Sequence, residues 1–524
     1  MVIPVQSGSL ALSFSFYFRN FPTMKIFSAE QFKAWDSYTI LEEPIRPIEL
    51  MERAAHRCFS WIIAQFPEQE HFTVLCGKGN NGGDGLAIAR LLANNGKRVV
   101  VEVLEFGYAG TPEFQFNLSR LHQFPQVTIR YIQQADQVPV LASQTIIIDA
   151  LYGSGLNRGL EGLSAALVEV ANASCLTCIS IDLPSGLFCD RSSVGFPVIK
   201  ATYTLCLQSY KLAMMMPEND IYLGQVQLLN IGLHSGFYTN TKSAFYLQLL
   251  DDIKPLVPKR KKTAHKGNFG HALLLCGGTG KMGAAVLAAK GALRTGLGLL
   301  TCQVPVEGNL VLQTTVPESM CSLDRHPDRL TELPKDLSRF SAIGIGPGVG
   351  THADTAVMLE ELLSNYPHPI VLDADALNII AGQKDMMDKI PANSVITPHP
   401  KEFARLFGES ATDFDRLQKA IEKATRYRIF IVLKGQHSII ACPDGSVYFN
   451  GSGNPGMATG GMGDVLTGIV TGLLAQPISP LQAVRLGVYL HGLAGNLAAH
   501  AVSEPALLPT DLLDYLGAAW LSLE

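Results

Sequence analysis

The sequence predicts two consecutive α/β domains, each built on a mostly parallel sheet. Three observations predict it. Short β-branched runs alternate with Ala/Leu-rich stretches of helical length through both halves of the chain. Most of those runs lead straight into glycine-bearing turns, the pattern of strand-to-helix loops in parallel sheets. A turn-rich segment with two prolines and a basic cluster, within 235–262, separates the halves, and at ~150 residues per domain a chain of 524 residues has room for two to four.

The elements follow in order. Met1 to Thr23 reads differently from the rest: Leu10 to Phe18 is apolar, yet no Lys or Arg precedes it and no small-residue cleavage pattern follows. We expect a tail or a mis-set start codon there rather than a secretory signal. Met24-Lys25-Ile26-Phe27 opens the first folded domain, with Ser28 capping a helix and Gln31 completing a capping box. Phe72 to Cys76 reads as a strand, Gly77 to Gly83 as a turn, Asp84 to Asn95 as a helix and Arg98 to Leu104 as the next strand. Further strands end at Asp149 (Thr145 to Ile148) and at Asp182 (Cys178 to Ile181), and Ala201 to Leu207 runs into Gln208-Ser209-Tyr210-Lys211. This gives a first domain over 24–240, a linker over 241–262 carrying the solvated cluster Lys259-Arg260-Lys261-Lys262, and a second domain over 263–524 whose first strand is His271 to Cys276.

Composition excludes several classes of function. Charged residues make up 17%, below the ~25% of an average soluble chain, which argues against disorder. A net charge of −5 removes non-specific nucleic-acid binding as the main activity. No apolar run reaches the ~18 residues a membrane span needs. The ten cysteines are scattered through apolar stretches, and the lone pair Cys175 and Cys178 reads as buried strand residues because no second metal-spaced pair accompanies it. A cytoplasmic protein acting on small molecules, without nucleic acid or membrane, is expected.

In the first half, Gly77-Lys78-Gly79-Asn80-Asn81-Gly82-Gly83-Asp84-Gly85 sits between a strand and a helix, with Glu102 or Glu105 near the end of the next strand. Backbone without side chains can approach a phosphate there, and helix N-terminal N–H groups favour an anion. Asn80, Asn81 and Asp84 exceed what a dinucleotide fingerprint requires and point to chemistry or a cation beside the phosphate. Asp149 and Asp182 each end a strand before a glycine-bearing loop, Tyr152-Gly153-Ser154-Gly155 and Leu183-Pro184-Ser185-Gly186, at the edge where parallel sheets bind ligands. These segments resemble the NAD(P)H-hydrate epimerase domain, which implies a Rossmann-like three-layer α/β/α fold that interconverts the R and S epimers of hydrated NADH or NADPH. The resemblance assigns Asn80, Asn81, Gly82, Gly83 and Asp84, with Gly153, Ser154, Gly155, Leu156, Asn157, Arg158 and Gly159, to the hydrated nucleotide. It gives Asp182 to the nicotinamide end, where a carboxylate suits proton transfer as the hydroxyl leaves and returns, and Asn81, Asp149 and Ser185 to a potassium ion.

In the second half, Asn454-Pro455-Gly456-Met457-Ala458-Thr459-Gly460-Gly461-Met462-Gly463-Asp464 precedes an apolar helix. Its glycines let backbone amides surround a developing negative charge, with Asp464 placed as a base beside them. Other strand ends fit one site: Gly346-Pro347-Gly348-Val349-Gly350, Asp373-Ala374-Asp375 (two carboxylates able to reach a magnesium–phosphate unit), Pro398-His399-Pro400-Lys401-Glu402, and Lys434-Gly435-Gln436-His437-Ser438. With Lys266-Gly267-Asn268-Phe269-Gly270 and Gly283-Ala284-Ala285, these resemble the ADP/ATP-dependent NAD(P)H-hydrate dehydratases, which implies a ribokinase-like α/β/α domain from Lys262 to the C-terminus. The resemblance assigns Ala284, Gly348, Gly350, His399 and Asp464 to the hydrated nucleotide, and Lys434, Gly435, Gln436, His437, Ser438 and Gly463 to the adenine nucleotide. The sequence departs from the family at Lys401, usually Gly, and at Met462, often Thr or Ser; neither change removes a chemical group.

The chemistry implied is phosphorylation of the hydrate's hydroxyl, with Asp464 taking its proton, followed by loss of phosphate to restore the ring. The expectation is therefore a bifunctional metabolite-repair enzyme that uses ADP, releases AMP and phosphate, and depends on Mg2+ and K+. The resemblance also implies a homo-oligomer, and the whole-chain fusion resembles bacterial enzymes that prefer ADP to ATP. The alternatives are a ribokinase-like small-molecule kinase with an N-terminal nucleotide-binding module, marked by a stable phosphorylated product, and a non-enzymatic scaffold, against which Asn81, Asp149 and Asp182 argue. NADH against NADPH preference is open at this point.

Overall fold

The computed structural model describes residues 24–524, and the expected tail, Met1 to Thr23, lies outside the described residues. The chain divides into two compact units, Lys25–Ser243 and, in the main, Ala244–Glu524.

The first unit holds seven strands: β1 (His71–Cys76), β2 (Arg98–Leu104), β3 (Thr128–Ile132), β4 (Ile146–Ala150), β5 (Cys178–Ile181), β6 (Tyr203–Leu207) and β7 (Gln225–Leu229). Their order is β3-β2-β1-β4-β5-β6-β7 and every pair is parallel. This is the Rossmann-type order, in which the winding direction reverses between β1 and β4 and opens a crevice at the strands' carboxyl ends. Alternation along the strands splits the core in two. Phe72, Val74 and Cys76 face one layer with α2 (Pro47–Gln65), α3 (Asn80–Asn94) and α4 (Pro112–Leu121). Leu75, Leu104 and Ile147 face the other with α5 (Gly162–Ala173). At roughly 1.5–3 kcal/mol per fully buried large aliphatic side chain, these two layers are the main stabilising term. Helix α1 (Ala29–Glu42) starts on the expected capping box: Ser28 Oγ accepts from Gln31 N at 3.2 Å and Gln31 Oε1 accepts from Ser28 N at 3.0 Å.

The second unit's sheet includes β8 (Phe245–Gln248), β9 (His271–Leu275), β10 (Leu299–Val304), β11 (Met320–Leu323), β12 (Ala342–Ile345), β13 (Ile370–Leu372), β14 (Val395–Ile396), β15 (Phe430–Leu433), β16 (Ile439–Ala441) and β17 (Val447–Asn450). They run in the order β8-β17-β16-β15-β14-β13-β12-β9-β10-β11. The pairs are parallel except β15 with β16 and β16 with β17, a hairpin and its return. Ala272, Leu274, Ala342, Val371 and Val432 pack on one side against α6 (Met282–Leu293), α8 (Met462–Leu474) and α9 (Pro480–Val502), with α7 (Pro400–Phe407) following β14. Residues of the opposite parity, Leu273, Ile343 and Leu372, are equally buried, so both faces are covered. Helices α6 and α8 touch through glycine: a Cβ on Gly468 would lie 1.9 Å from Ala288 O.

Four expectations need correction. The helix after β1 starts at Asn80, not Asp84, so the Asn-Asn-Gly-Gly-Asp run is its first turn. Those glycines serve contact: a Cβ on Gly82 would sit 1.7 Å from Gly77 O, and one on Gly85 2.5 Å from Ala150 Cβ. Residues 241–262, expected as a linker, contain β8, which pairs in parallel with β17; its four residues were too few for the turn signals around them to reveal. Cys175 is exposed at φ 54° in the turn after α5, and only Cys178 is buried. Asp149 lies inside β4, because that strand continues to Ala150. The basic cluster is solvent-facing as expected, although Arg260 stacks on Phe269 at 4.1 Å.

Candidate functional sites

The first unit places its site at the crevice between β1 and β4. Asp149 is fully buried near the end of β4; its Oδ2 accepts from Ser180 Oγ (2.7 Å) and Ser185 N (2.9 Å), and its Oδ1 from Ser185 Oγ (2.5 Å) and Leu151 N (3.3 Å). Burial lifts its carboxyl above the usual range despite those bonds, and among the described residues no lysine or arginine pairs with it. Asn81 belongs to the same crevice, and its Nδ2 is buried without a hydrogen-bond partner among the described residues. A Cβ on Gly153 would meet Asn81 Cγ at 3.2 Å and Asp182 Oδ2 at 3.4 Å, so glycine is what lets these two side chains flank one loop.

Asp182 follows β5 at φ 67°, a left-handed backbone held by its surroundings. Its Oδ1 accepts from Lys211 Nζ and its Oδ2 from Ser154 N at 3.3 Å. Burial raises this carboxyl, but the Lys211 ammonium and the Ser154 bonds overcome it and hold Asp182 below the ordinary carboxylate range. Lys211, 1% exposed, also donates to Leu207 O at 2.8 Å, and its own affinity for the proton is raised against burial by Asp182. The sequence analysis passed through Lys211 without giving it a role: its partner is 29 residues away and spacing does not reveal it. Asp84, on the first turn of α3, is pushed well above its usual range by burial and then by Asp182. Leu156 N closes a turn on Gly153 O at 3.1 Å; Gly155, Asn157 and Arg158 are exposed along the same loop, and Phe196 lies against Gly159. Asn80 is exposed at the helix start. Glu105, at the position of a ribose-binding acid, is already paired with Lys78 and accepts from Gly107 N at 2.7 Å, while Glu102 is buried with Arg130.

The second unit gathers five strand ends by four bonds between successive loops. Gly277 N donates to Pro347 O (2.8 Å), Asp373 N to Ile345 O (3.1 Å), Thr397 N to Leu372 O (3.1 Å) and Lys434 N to Pro398 O (3.0 Å). Asp373 is buried; its Oδ1 accepts from Lys434 Nζ at 2.9 Å and its Oδ2 from Thr467 Oγ1 at 2.8 Å. Asp375, the second carboxylate of that strand end, accepts at Oδ2 from Gly350 N (2.9 Å) and Lys281 Nζ (3.3 Å). Lys434 also stands 4.0 Å from Glu402, whose Oε2 accepts from His399 N at 2.9 Å. His399 caps α7, its Nδ1 accepting from Lys401 N and Glu402 N, and burial lowers its affinity for a proton. Gly348 lies against Ala284: a Cβ there would be 3.3 Å from that of Ala284.

The glycine loop closes over this group. A Cβ on Gly463 would lie 3.3 Å from Lys434 Nζ and 3.4 Å from Asp373 Oδ2, and Gly461 begins α8 at φ 94°. Asp464 is raised to about 6, by burial first and then by Asp373 and Asp375, with Lys434 opposing. His491 on α9, which the sequence reading missed, is buried and held neutral, lowered to about 4. Its Nε2 lies 3.0 Å from Met462 O and donates to it, tethering the loop to the core. Gly435, Gln436, His437 and Ser438 form the turn between β15 and β16, with His437 Nδ1 3.3 Å from Asn450 O.

A Rossmann-type crevice with a carboxylate–lysine pair, in a chain that also carries a glycine loop over a buried aspartate–lysine pair, points to a two-domain enzyme of nucleotide chemistry. Comparisons narrow the class. Residues 272–517 match the family model described as NAD(P)H-hydrate dehydratase, and 47–213 that of the YjeF-related protein N-terminus. The chain is 35% identical to the bifunctional NAD(P)H-hydrate repair enzyme of Moorella thermoacetica over 96% of this chain and 97% of the relative. It is 34% identical to that of Coxiella burnetii over 91% and 95%. Among solved structures, the ADP/ATP-dependent NAD(P)H-hydrate dehydratase of Bacillus subtilis, co-crystallised with ATP and Mg2+, is 32% identical over 53% of this chain and 98% of that one, with a TM-score of 0.46. The chain belongs to the family of bifunctional NAD(P)H-hydrate repair enzymes.

Proposed function

We propose that this chain repairs hydrated NADH and NADPH in two steps: epimerisation of the R and S hydrates by the first unit, and nucleotide-dependent dehydration of the S form by the second. The observation that carries the reading is Asp464, a carboxyl lifted to about 6 beside a left-handed glycine turn and the buried Asp373–Lys434 pair. A base of that affinity is ionised at neutral pH yet still able to accept a proton. Asp464 takes the proton of the hydrate's hydroxyl as its oxygen attacks the terminal phosphorus of ADP. Backbone N–H groups of Gly460 to Gly463 and the Lys434 ammonium stabilise the transferring phosphoryl group. AMP leaves, and loss of phosphate then restores the reduced ring. Mg2+ would accompany the nucleotide phosphates, with Asp373 and Asp375 the carboxylates at the strand end placed to reach it, and would neutralise charge on the phosphates. Ala284, Gly348, Gly350 and His399 line the hydrate's side; Gly435, Gln436, His437 and Ser438 line that of the adenine nucleotide.

In the first unit, Asn81, Asp149 and Ser185 would hold K+. The donors are all oxygen, as a hard cation requires, and Asp149 is a buried carboxylate without a cationic partner among the described residues. The ion would supply that missing charge, while Asp182, held by Lys211, meets the nicotinamide end. Among the described residues no helix is long and apolar enough to cross a membrane. On the family resemblance, we propose a cytoplasmic homo-oligomer.

Product analysis tests the proposal. With a mixture of hydrates, Mg2+, K+ and ADP, AMP and phosphate should appear in step with reduced nicotinamide. A stable phosphorylated product with no ring restored would replace this reading with that of a small-molecule kinase.

A further inference from the structure

The loop that follows β2 carries two exposed aromatic rings. Phe106 and Tyr108 are 42% and 53% exposed, and their rings stack with centroids 6.2 Å apart and planes 10° from parallel. The loop is locked to the turn after β1. Lys78 of that turn, 6% exposed, donates from Nζ to Tyr108 O and to Glu105 Oε1, and its ammonium lies 5.4 Å from the centre of the Tyr108 ring. Its carbonyl accepts from Thr111 N at 3.0 Å. Gly110, at φ 85°, lets the loop pass so close that a Cβ there would sit 2.5 Å from Lys78 O. The rings are thus held by the residue that leads through Gly79 into the first turn of α3. Burial first lifts the Tyr152 phenol, with Ser164 opposing, and the Tyr108 phenol adds to the lift; Tyr152 directly precedes Gly153.

We propose that Phe106 and Tyr108 form the platform on which the adenine of the hydrated dinucleotide stacks, at the end of the crevice away from Asp182. The inference rests on the epimerase reading of this crevice and deepens it. Sheet order supplies the direction. Asp182, at the nicotinamide end, follows β5, and the glycine turn suited to phosphate follows β1, with β4 between them. Continuing past the phosphates in the same direction leads to β2 and its loop. Three strand spacings of ~4.8 Å separate β5 from β2, so the two ends of the crevice lie roughly 14 Å apart, the scale of an extended dinucleotide. In such folds an acid after this strand commonly holds the adenosine ribose. Here that acid, Glu105, is paired with Lys78 and accepts from Gly107 N at 2.7 Å, and the aromatic rings are the part of the loop that stands open. A base stacks on an aromatic face without needing a hydrogen bond, so the pair recognises adenine through area alone. No bond is made or broken at the platform, and its effect falls on binding rather than on the chemical step.

The experiment measures epimerisation by the full chain, without ADP, on two substrates. One is the hydrate of NADH; the other is the hydrate of reduced nicotinamide mononucleotide, which lacks the adenosine half. The proteins are wild type, the double variant Phe106→Ala/Tyr108→Ala, and the exchange Phe106→Tyr/Tyr108→Phe. With the NADH hydrate, the double alanine variant should raise KM about 10-fold at nearly constant kcat. The exchange, which keeps both rings, should stay near wild type. With the mononucleotide hydrate all three proteins should share one KM, higher than that of wild type for the NADH hydrate, which also reports that the first unit is folded. An unchanged KM for the NADH hydrate in the double alanine variant would overturn the inference, as would equal losses on both substrates. A changed oligomeric state at unchanged KM would overturn it too, and would make the pair an interface between copies of the chain. If wild type moves neither substrate between its epimers, the epimerase reading itself fails.

Discussion

Lys434 Nζ lies 2.9 Å from Oδ1 of Asp373, whose side chain is 2% exposed, directly under the first turn of α8. A buried charge with one cationic partner is sensitive to loss of that partner, because removal leaves the carboxylate desolvated and unpaired. Lys434→Met should therefore cost about 3 kcal/mol of stability in the second unit and abolish dehydration while epimerisation continues. Adding Asp373→Asn should recover part of the stability and none of the activity. Thermal melts of the two single variants and the double variant check this; simple additivity would mean the pair is not coupled.

Asp464 gives a pH prediction with a definite sign. Its folded affinity, about 6, exceeds the unfolded value near 3.8, so the folded state binds the proton more tightly. Stability from this group is present at low pH and is lost as pH rises through about 6, whereas the base becomes active over the same interval. Dehydratase kcat should climb with pH to a plateau above about 6. Asp464→Asn should lose at least about 100-fold in kcat and gain about 1 kcal/mol or more at pH 7.5. A variant that is both inactive and less stable would contradict the assignment of the strained charge to Asp464.

His491 holds the anion loop through one bond, Nε2 to Met462 O at 3.0 Å. His491→Leu leaves that carbonyl unpaired in the core, a loss of about 1–3 kcal/mol, and frees the start of α8 to drift. We expect kcat for dehydration to fall while KM for ADP stays nearly constant; His491→Gln, which keeps a donor, should recover part of it. Because His491 is lowered to about 4, neither form should show a histidine titration between pH 5 and 8.

If a potassium ion neutralises Asp149, epimerisation should depend on K+ at constant ionic strength, with choline failing to replace it. Ser185→Ala should weaken that dependence and leave dehydration untouched. Equal rates in K+ and choline would remove the ion from the account.

Local chemistry made much of this molecule legible. Ser28 and Gln31 form their capping box because both partners lie within one helical turn, and strand-end residues such as Asp182 and Lys434 were found because sheet edges follow directly from strand length. What escaped was long-range. Lys211 and His491 acquire their roles from partners 29 residues away each, across separate elements. Gly82 and Gly83 read as a turn because the sequence does not show the backbone and side chains that press on them. The bonds that Thr467 and Lys434 make to Asp373 escaped for the same reason: both residues come from other elements.

The most direct measurement is a time course of both hydrate epimers and of reduced nicotinamide, with ADP, Mg2+ and K+ present, on wild type, Asp182→Asn and Asp464→Asn. The account predicts full recovery for wild type. It predicts that Asp182→Asn stops once the S form is consumed, and that Asp464→Asn interconverts the epimers without recovering any reduced nicotinamide. Recovery of both epimers by Asp182→Asn at the wild-type rate, or of either by Asp464→Asn, would contradict it.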